Sequence, residues 1–361
     1  MSYQEENNMA CVIMAGGVGT RFWPLSTYEK PKQFLKLFDN RSLLQKSYDR
    51  VAGIITDDRI IVLTNDRFTN LVREQLPGLP PKNIIGEPMR RDTAAAVCLG
   101  ALLSIKRFGN PVIVTLTADH LIEPGDLFRQ TMLSAVRMAR ETEALYTFGI
   151  KPSYAATGYG YLEIGEKFAD DRGIEHFHLV SFKEKPEKDT ARQYVESGRY
   201  LWNSGMFVWT ADAIFGAFAK HLPEHLEHLT KALEKEGSPE WQNALQQAFE
   251  SIEKISIDYA VMEKAEDVRC AASDFTWKDV GSWHALADFL PKDVDGNCCL
   301  GTPLKLDAKR NLVFCEDPEE TVMLVGVQDL VIARAGNATL IAEKERTEEV
   351  KKLVEEMVEE S

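Results

Sequence analysis

Short apolar runs that alternate with helical periodicity constrain the fold of this chain more than any other feature of its sequence. The runs are Ala10–Met14, Ile60–Thr64 and Val112–Thr117. Each predicts a strand, and the continuous apolar character of Val112–Thr117 is typical of a central parallel strand. Thr93–Phe108 and Leu127–Glu141 carry apolar residues at helical spacing, with Asp92 or Thr93 as candidate cap of the first helix. The alternation predicts βαβ units, and hence a mixed, mostly parallel sheet with helices on its faces.

The second half of the chain shows a different pattern. From about Tyr146 the sequence predicts short strands and turns, and helical stretches follow from Ala211 to about Glu253. Residues 297–342 hold short β-like pieces broken by Gly and Pro, which predict a small all-β domain. The charged segment Glu343–Glu360 predicts a terminal helix whose apolar stripe consists of Val350, Leu353, Val354 and Met357. We therefore predict a larger domain over residues 1–290 and a smaller one over residues 291–361.

Length and charge limit the class of protein. A chain of 361 residues is longer than one hydrophobic core usually supports, so two domains are expected. The net charge of −14 argues against a nucleic acid or an anionic membrane as partner. The six cysteines have no metal-binding spacing, which fits a reducing compartment. With no apolar signal segment and no 18-residue apolar run in the sequence, we expect a cytoplasmic protein.

A glycine-rich turn follows the first apolar run. Gly16, Gly17 and Gly19 let backbone N–H groups approach a phosphate closely, although many such glycines serve the turn alone. Arg21 adds a bidentate anion clamp and Lys32 a point charge, so the block predicts a triphosphate site. No Gly-Lys-Ser/Thr follows as in a Walker A loop. The last glycine of the dinucleotide fingerprint is missing, which disfavours a hydride-transferring oxidoreductase.

Asp119 lies directly after the run Val112–Thr117. Nucleotide sites in parallel sheets lie at the carboxyl ends of strands, and a carboxylate placed there can bind Mg²⁺. The alternative interpretation is a turn-forming Asp whose side chain accepts from nearby backbone N–H groups.

The glycine block, with Arg21, Trp23-Pro24-Leu25 and Pro31-Lys32-Gln33-Phe34, resembles the signature of the sugar-1-phosphate nucleotidyltransferases. The variant Phe22–Ser26 resembles the branch of that family that uses GTP and α-D-mannose 1-phosphate. The resemblance spans nearly all of the first 290 residues. It includes Trp277–Trp283 and also Ser256–Glu263, for which we expect a structural role. Thr117 stands where the family usually has Pro, which affects the backbone and not the ligand Asp119.

The resemblance implies a set of functional residues. The metal ligands would be Asp119 and Asp279. The nucleotide-binding residues would be Ala15, Gly16, Gly17, Gly19, Thr20, Arg21, Glu87 and Thr93. The sugar phosphate would be bound by Gly158, Tyr159, Glu184, Lys185 and Asn203, and the catalytic residues would be Arg21, Lys32 and Lys185. Within the loop that the family places at the base pocket, the carboxylate of Glu87 matches the two N–H donors on the edge of guanine.

The resemblance also implies an activity and an architecture. The fold would be Rossmann-like, with a C-terminal domain that resembles a short left-handed β-helix and could form a homodimer. The chain would transfer GMP from GTP to α-D-mannose 1-phosphate, giving GDP-mannose and pyrophosphate, with Mg²⁺ or another divalent cation. We expect no isomerase activity, because the chain ends without the isomerase-like domain of longer relatives. Two alternatives stay open: another sugar 1-phosphate or nucleotide, and a non-catalytic nucleotide-sensing regulator.

Overall fold

The computed structural model describes residues 8–17, 19, 21–287, 289–317 and 319–359. The chain divides into two compact units. The described residues of the first unit lie within Met1–Gly16, Ser47–Ala118 and Ile122–Trp277, and those of the second within Gly17–Lys46, Asp119–Leu121 and Lys278–Ser361. The domain boundary near residue 290 stays a prediction.

Both units contain strands. In chain order they are β1 (Met9–Ala15), β2 (Ile60–Asn65), β3 (Ile84–Glu87), β4 (Val112–Thr117), β5 (His120–Glu123), β6 (Leu145–Ile150), β7 (Tyr161–Asp171), β8 (Ile174–Lys183), β9 (Tyr200–Thr210), β10 (Val268–Ser273), β11 (Thr276–Asp279), β12 (Cys298–Leu300), β13 (Leu304–Leu306), β14 (Leu312–Cys315), β15 (Met323–Val325), β16 (Leu330–Ala335) and β17 (Ala338–Glu343). The predicted strand Val112–Thr117 has the bounds of β4, and the other two predicted runs lie within β1 and β2.

The α-helices lie between these strands and at the C-terminal end of the described chain. They are α1 (Leu43–Val51), α2 (Thr69–Gln75), α3 (Asp92–Phe108), α4 (Gly125–Thr142), α5 (Lys188–Ser197), α6 (Ala211–His221), α7 (Pro223–Leu233), α8 (Trp241–Ser251), α9 (Trp283–Ala287) and α10 (Val350–Glu359). Lys32–Phe34 forms a short 3₁₀ turn and Asp258–Met262 a π-helical turn. None of the helices in the described part of the chain combines the length and the apolar character that a membrane crossing needs.

Nine strands of the first unit form one mixed sheet. Their order is β3-β2-β1-β4-β9-β6-β10-β8-β7. The four strands β3, β2, β1 and β4 are mutually parallel, and β9 runs antiparallel to β4, β6 and β7. In this register Met14 pairs with Thr117, so β1 and β4 end at the same edge of the sheet. The predicted α/β fold class is confirmed.

Helices cover both faces of this sheet. Gly100 of α3 lies so close to β1 that an added Cβ would be 2.6 Å from Val12 Cγ1, and hence a larger residue would push the helix away. Leu145 of β6 belongs to the apolar cluster under α3. Phe148, three residues along and therefore on the opposite face, packs against Phe128 of α4 with ring centroids 5.9 Å apart. Burial on both faces explains why the predicted strands are continuously apolar.

The strands in the middle of the chain are longer than the sequence pattern predicted. β7 and β9 each have 11 residues and β8 has 10, where we expected short strands. The pairing of β7 with β8 contains several register shifts, and the pairing of β6 with β9 contains one. Each shift breaks the two-residue alternation that identifies a strand in the sequence.

The second unit contains a β-rich solenoid. β12, β14 and β16 are parallel neighbours, β13 pairs in parallel with β15, and β17 closes the first of these sheets in antiparallel orientation. Consecutive strands thus alternate between two sheets, as in a β-helix. In α10, Val350 and Val354 are buried in the apolar cluster of this unit, whereas Leu353 and Met357 are 60% and 52% exposed. Half of the predicted stripe therefore packs within the unit.

The six cysteines are free thiols. Cys11, Cys98 and Cys270 are fully buried in the first unit, and burial raises the pKa of each thiol well above its usual value. In the second unit Cys299 is half-buried. The three buried thiols therefore contribute as small apolar side chains.

Candidate functional site

Two aspartates of the second unit converge on one lysine. Lys32 lies in the 3₁₀ turn and is only 6% exposed. Its Nζ is 3.1 Å from Asp119 Oδ2 and 3.0 Å from Asp279 Oδ1. Asp119 follows β4 and Asp279 ends β11, so the fold brings together residues that are far apart in the sequence. The predicted pair of carboxylates is thus gathered around a single ammonium group.

This lysine cluster, Lys32 with Asp119 and Asp279, holds its charges at neutral pH. Burial on its own would raise the pKa of Asp279, but Lys32, His120 and Arg21 hold it at about 2. Burial on its own would lower the pKa of Lys32, yet the two carboxylates outweigh it and raise that pKa above its usual value. Mutual pairing therefore keeps Lys32 protonated and Asp279 ionised in a partly dehydrated place.

The glycine loop packs against the same lysine segment. A Cβ added to Gly19 would lie 3.1 Å from Lys32 Cβ, so the loop depends on the missing side chain to approach this closely. Gln33 Nε2 donates to the carbonyl oxygen of Gly17 at 2.9 Å. Thr20, which we predict to bind nucleotide, lies outside the described residues.

Arg21 begins a compact turn and is exposed. The backbone N–H groups of Leu25 and Ser26 both donate to the carbonyl oxygen of Phe22. The backbone N–H of Phe22 donates in turn to Ser26 Oγ. The Phe22 ring packs edge-on against Trp283 at a centroid distance of 5.2 Å. A Cβ added to Gly281 would be 3.7 Å from Arg21 Nη1, so the guanidinium lies beside the turn that follows Asp279. Rigid aromatic packing thus positions a solvent-accessible cation near the lysine cluster.

The two carboxylates of the lysine cluster are a donor set that fits Mg²⁺. Within the described ranges, no group of three or more His, Cys, Asp or Glu side chains is arranged to bind a metal ion. Mg²⁺ is usually held by one or two carboxylates and takes its other ligands from substrate phosphates and water. Asp119 and Asp279, gathered at one point, match that requirement.

In the first unit, Glu87 lies beside the first glycine of the loop. Glu87 ends β3, and a Cβ added to Gly16 would lie 3.2 Å from its Oε2. Burial raises the pKa of Glu87 to about 8, so the carboxyl is largely protonated at neutral pH. Thr64 Oγ1 donates to the carbonyl oxygen of Ala15 at 2.9 Å, which fixes the end of β1. The structure therefore groups Ala15, Gly16 and Glu87.

Thr93 has a structural bond in the described chain. Its Oγ1 accepts from the N–H of Ile257 at 2.9 Å. The expected helix cap is wrong, because α3 begins at Asp92 and Arg91 occupies the cap position without a side-chain bond. Asp92 accepts from the adjacent N–H of Thr93 instead. The role of Thr93 in nucleotide binding stays a prediction.

Three of the predicted sugar-phosphate residues lie close together in the first unit. Lys185 Nζ is 2.7 Å from Glu184 Oε1, and a Cβ added to Gly160 would overlap Glu184 Oε2 and lie 3.3 Å from Asn203 Cβ. Lys185 has φ +46°, a left-handed conformation that costs energy in any non-glycine residue. Strain of this kind is typical of functional sites.

The remaining two predicted residues lie in the loop before β7. The Tyr159 ring packs against Trp202 and Trp277 at centroid distances of 5.3 and 5.0 Å. Gly158 is exposed, with no atom within 4 Å of an added Cβ. The aromatic packing anchors Tyr159 and leaves the backbone at Gly158 accessible.

The amide of Asn203 has a defined orientation. Its Oδ1 accepts from the N–H of Gly205 at 3.2 Å and lies 2.9 Å from Thr147 Oγ1. Its Nδ2 donates to Asp258 Oδ1 at 2.9 Å. Since the oxygen is occupied, Asn203 can offer a substrate only its remaining N–H, and not both a donor and an acceptor as its residue type allows.

Sequence reasoning missed the contribution of the segment Ser256–Glu263. Beyond its structural role, Asp258 contacts Asn203, and Glu263 Oε1 accepts from the N–H of Glu184 at 3.3 Å. The available signal was the position of these two acids, which bracket the mostly apolar residues 259–262.

Comparisons with known proteins identify the family of this chain. The family model described as "Nucleotidyl transferase" matches residues 10–296, and the one described as "MannoseP isomerase/GMP-like beta-helix domain" matches residues 301–357. The mannose-1-phosphate guanylyltransferase of Escherichia coli K12 is 37% identical over 351 residues, covering 96% of this chain and 73% of that protein. The corresponding protein of Klebsiella pneumoniae is 37% identical over 347 residues, covering 95% and 73%.

A solved structure is similar over nearly the whole chain. The crystal structure described as mannose-1-phosphate geranyltransferase from Thermus thermophilus is 32% identical and superposes with a TM-score of 0.86, covering 97% of this chain and 99% of that one. The family resemblance predicted from the motifs is thereby confirmed. The chain belongs to the nucleotidyl transferase family and, within it, to the mannose-1-phosphate guanylyltransferases.

Proposed function

We propose that the chain transfers GMP from GTP to α-D-mannose 1-phosphate. An oxygen of the sugar phosphate forms a bond to the α-phosphorus of GTP, the bond from that phosphorus to the β-phosphate oxygen breaks, and pyrophosphate leaves. The products are GDP-mannose and pyrophosphate. In a chain of this family, the observation that carries the proposal is the cluster of Lys32, Asp119 and Asp279 beside the glycine loop.

The proposed catalysis consists of positioning and charge stabilisation. The attacking phosphate oxygen is already an anion at pH 7, so no protein base is needed, and the barrier is the repulsion between two anionic substrates. Arg21 binds the β- and γ-phosphates and the leaving pyrophosphate, Lys32 neutralises charge near the α-phosphate, and Lys185 holds the sugar phosphate. Asp119 and Asp279 would hold Mg²⁺, which when bound would supply positive charge at the phosphate oxygens.

An assay of pyrophosphate release tests this function. The purified chain is incubated with Mg²⁺, each of the four nucleoside triphosphates, and a panel of hexose 1-phosphates. We expect the largest kcat/KM for GTP with mannose 1-phosphate. A larger value for another pair would replace the proposed substrates, and the absence of turnover with every pair would favour a nucleotide-sensing regulator.

We further propose that Glu87 recognises guanine. Its carboxylate would accept from the N1–H and the exocyclic amine of the base, a pair of donors that adenine lacks. Gly16 directly follows β1, the strand that precedes the phosphate loop. The contact of Glu87 with Gly16 supports this role. Because the pKa of Glu87 is about 8, its carboxyl group is mostly protonated at neutral pH. It would have to lose this proton before it could accept both hydrogen bonds from guanine.

The affinity for GTP should therefore depend on pH. Between about pH 6.5 and about pH 8 the Kd for GTP should fall as Glu87 ionises, and it should level off above the pKa. Isothermal titration of GTP across this range measures the effect. Glu87→Gln should bind weakly at all pH values and lose the slope, whereas Glu74→Gln, at an exposed position, should keep it. A slope that persists in Glu87→Gln would contradict the assignment.

We also propose that the C-terminal domain forms a homodimer. An apolar patch covers the paired strands β13 and β15, where Leu304 is opposite Met323 and Leu306 is opposite Val325. These four side chains are between 58% and 68% exposed. Two copies of a chain with a net charge of −14 repel each other. The electrostatic repulsion is smallest where the surfaces in contact are apolar, as in this patch.

Light scattering during gel filtration tests the dimer. The wild-type chain should elute as a dimer, and the double variant Leu306→Glu/Met323→Glu as a monomer. Ile341→Glu, which changes an equally exposed residue on β17, should remain dimeric. A monomeric wild-type chain, or dimers in the double variant, would exclude this surface.

We place this reaction in the cytoplasm. The cysteines are free thiols, three of them buried in the first unit, and a reducing compartment maintains thiols in that state. Both substrates of the proposed reaction are phosphorylated metabolites, which are retained inside cells.

A further inference from the structure

The π-helical turn Asp258–Met262 touches two of the predicted sugar-phosphate residues. At its start, Asp258 Oδ1 accepts from Asn203 Nδ2 at 2.9 Å. Just after its end, Glu263 Oε1 accepts from the backbone N–H of Glu184 at 3.3 Å. One turn of backbone therefore holds the side chain of Asn203 and the main chain of Glu184. π-helical turns of this kind occur frequently at functional sites.

The turn is itself fixed to the beginning of α3. The N–H of Ile257, next to Asp258, donates to Thr93 Oγ1 at 2.9 Å, and the N–H of Ala94 donates to the carbonyl of Ile255 at 3.2 Å. Ile257, Ala260 and Val261 are fully buried in the apolar cluster beneath the sheet. Asp258 is therefore carried by a rigid element, which a residue needs if it is to orient another side chain.

Asp258 completes the orientation of the Asn203 amide. The N–H of Gly205 requires an acceptor and so holds the amide oxygen on one side. The carboxylate of Asp258 requires a donor and so holds the amide nitrogen on the other. With both ends assigned, the second hydrogen of Nδ2 is left to donate to an oxygen of a ligand.

We propose that Asp258 is a positioning residue of the sugar-phosphate site: it holds the Asn203 amide as a hydrogen-bond donor toward the sugar 1-phosphate. The inference rests on the proposed function, because it takes Asn203 as a sugar-phosphate contact. Asp258 acts through Asn203 and sets the affinity for the sugar substrate. It leaves nucleotide binding and the transfer step largely unchanged.

The charge around Asp258 is costly, which argues against a role in stability alone. Burial and the nearby Glu184 raise the pKa of Asp258 to about 7, although Asn203 and Lys185 favour the ionised form. An acid that is hard to ionise stabilises a fold poorly, and such perturbed groups are concentrated at functional sites. The hydrogen bond from Asn203 Nδ2 to Asp258 Oδ1 is consistent with a role of this acid in orienting the amide.

Steady-state kinetics of four variants at Asp258 and Asn203 test the proposal. Asp258→Ala should raise the KM for mannose 1-phosphate by about tenfold, the effect of losing a hydrogen bond to a charged group, with kcat and the KM for GTP within about threefold of wild type. Asp258→Asn should restore much of the affinity, because its Oδ1 can still accept from Asn203. In an Asn203→Ala background, Asp258→Ala should have little further effect, since the residue it orients is gone.

Controls separate positioning from folding. Glu266→Ala removes an exposed acid a few residues away whose ion pair with Lys220 is on the surface, and it should behave as wild type. Thermal unfolding of each variant identifies a folding defect. If Asp258→Ala does not fold, the comparison of Asp258→Asn with Asn203→Ala still decides: Asp258→Asn should stay close to wild type and Asn203→Ala should lose sugar-phosphate affinity.

Three outcomes would overturn the proposal: an unchanged KM for mannose 1-phosphate in Asp258→Ala, an equal rise in the KM for GTP, or additive effects of the two alanine substitutions. Failure of the proposed function is a separate result, because it would appear as absent or different substrate use by the wild-type chain. If the wild-type chain prefers another sugar 1-phosphate, the same variants are measured with that substrate.

Discussion

Asp279→Asn is expected to lower kcat by about 10²–10³, the loss typical of removing one preorganised electrostatic group from a catalytic site. Asn keeps the shape of the side chain but removes one of the two negative charges that Lys32 holds. Since Lys32 retains its ion pair with Asp119, the fold should persist. Asp279 is partly exposed, so solvent screens its pairing and the free energy of unfolding should change by about 1 kcal/mol.

Single-turnover kinetics and thermal unfolding, measured on the same preparation, check this expectation. Asp274→Asn is the matched control, because that residue is exposed and lies five positions earlier. The control should retain wild-type kcat, and Asp279→Asn should retain a Tm within about 5 °C of wild type. Near wild-type turnover in Asp279→Asn would remove this carboxylate from the proposed mechanism.

Arg21→Ala should have a comparable effect on turnover, about 10²–10³ in kcat/KM. Arg21 is exposed and stands on a turn that Phe22 and Trp283 hold through apolar packing, so its guanidinium can be removed without disturbing the core. Its planar fork presents two parallel N–H groups to two phosphate oxygens, a fixed bidentate geometry that an ammonium group lacks.

Arg21→Lys separates charge from geometry. It should recover part of the rate by restoring the positive charge, and it should remain well below wild type because the bidentate contact is missing. Arg192→Ala, at an exposed arginine of α5, is the control for a general loss of positive charge. Kinetics of pyrophosphate release measure all three variants. Wild-type values in Arg21→Ala would assign phosphate binding to other residues.

The sequence predicted the parallel half of the sheet well because burial on both faces makes those strands continuously apolar. β4 has the predicted bounds for this reason. The antiparallel half was harder to predict, since β7 and β8 contain register shifts that interrupt the alternation on which strand prediction depends. The cap of α3 was mispredicted because Thr93 bonds to Ile257, a residue far along the chain.

In the candidate site, too, some features could be predicted from the sequence and others depend on the tertiary structure. Motifs identified Asp119, Asp279 and Lys32, and the structure places a carboxylate oxygen of each aspartate about 3 Å from Lys32 Nζ. Sequence could not show that the Asn203 amide has a single orientation, because that depends on Gly205 and Asp258 in the folded chain. Residue type determines which hydrogen bonds are possible, and only the tertiary structure determines which remain for a ligand.

The distribution of thiols gives each unit its own reporter of local opening. A thiol reacts as the thiolate, so Cys11, Cys98 and Cys270, buried and with raised pKa, react only when the sheet of the first unit opens. Cys299 is half-buried in the solenoid, so a smaller opening of the structure is enough to expose its thiol to a labelling reagent. The labelling rates of individual cysteines, read by mass spectrometry, would therefore rank the opening of the two units in one sample without any introduced probe.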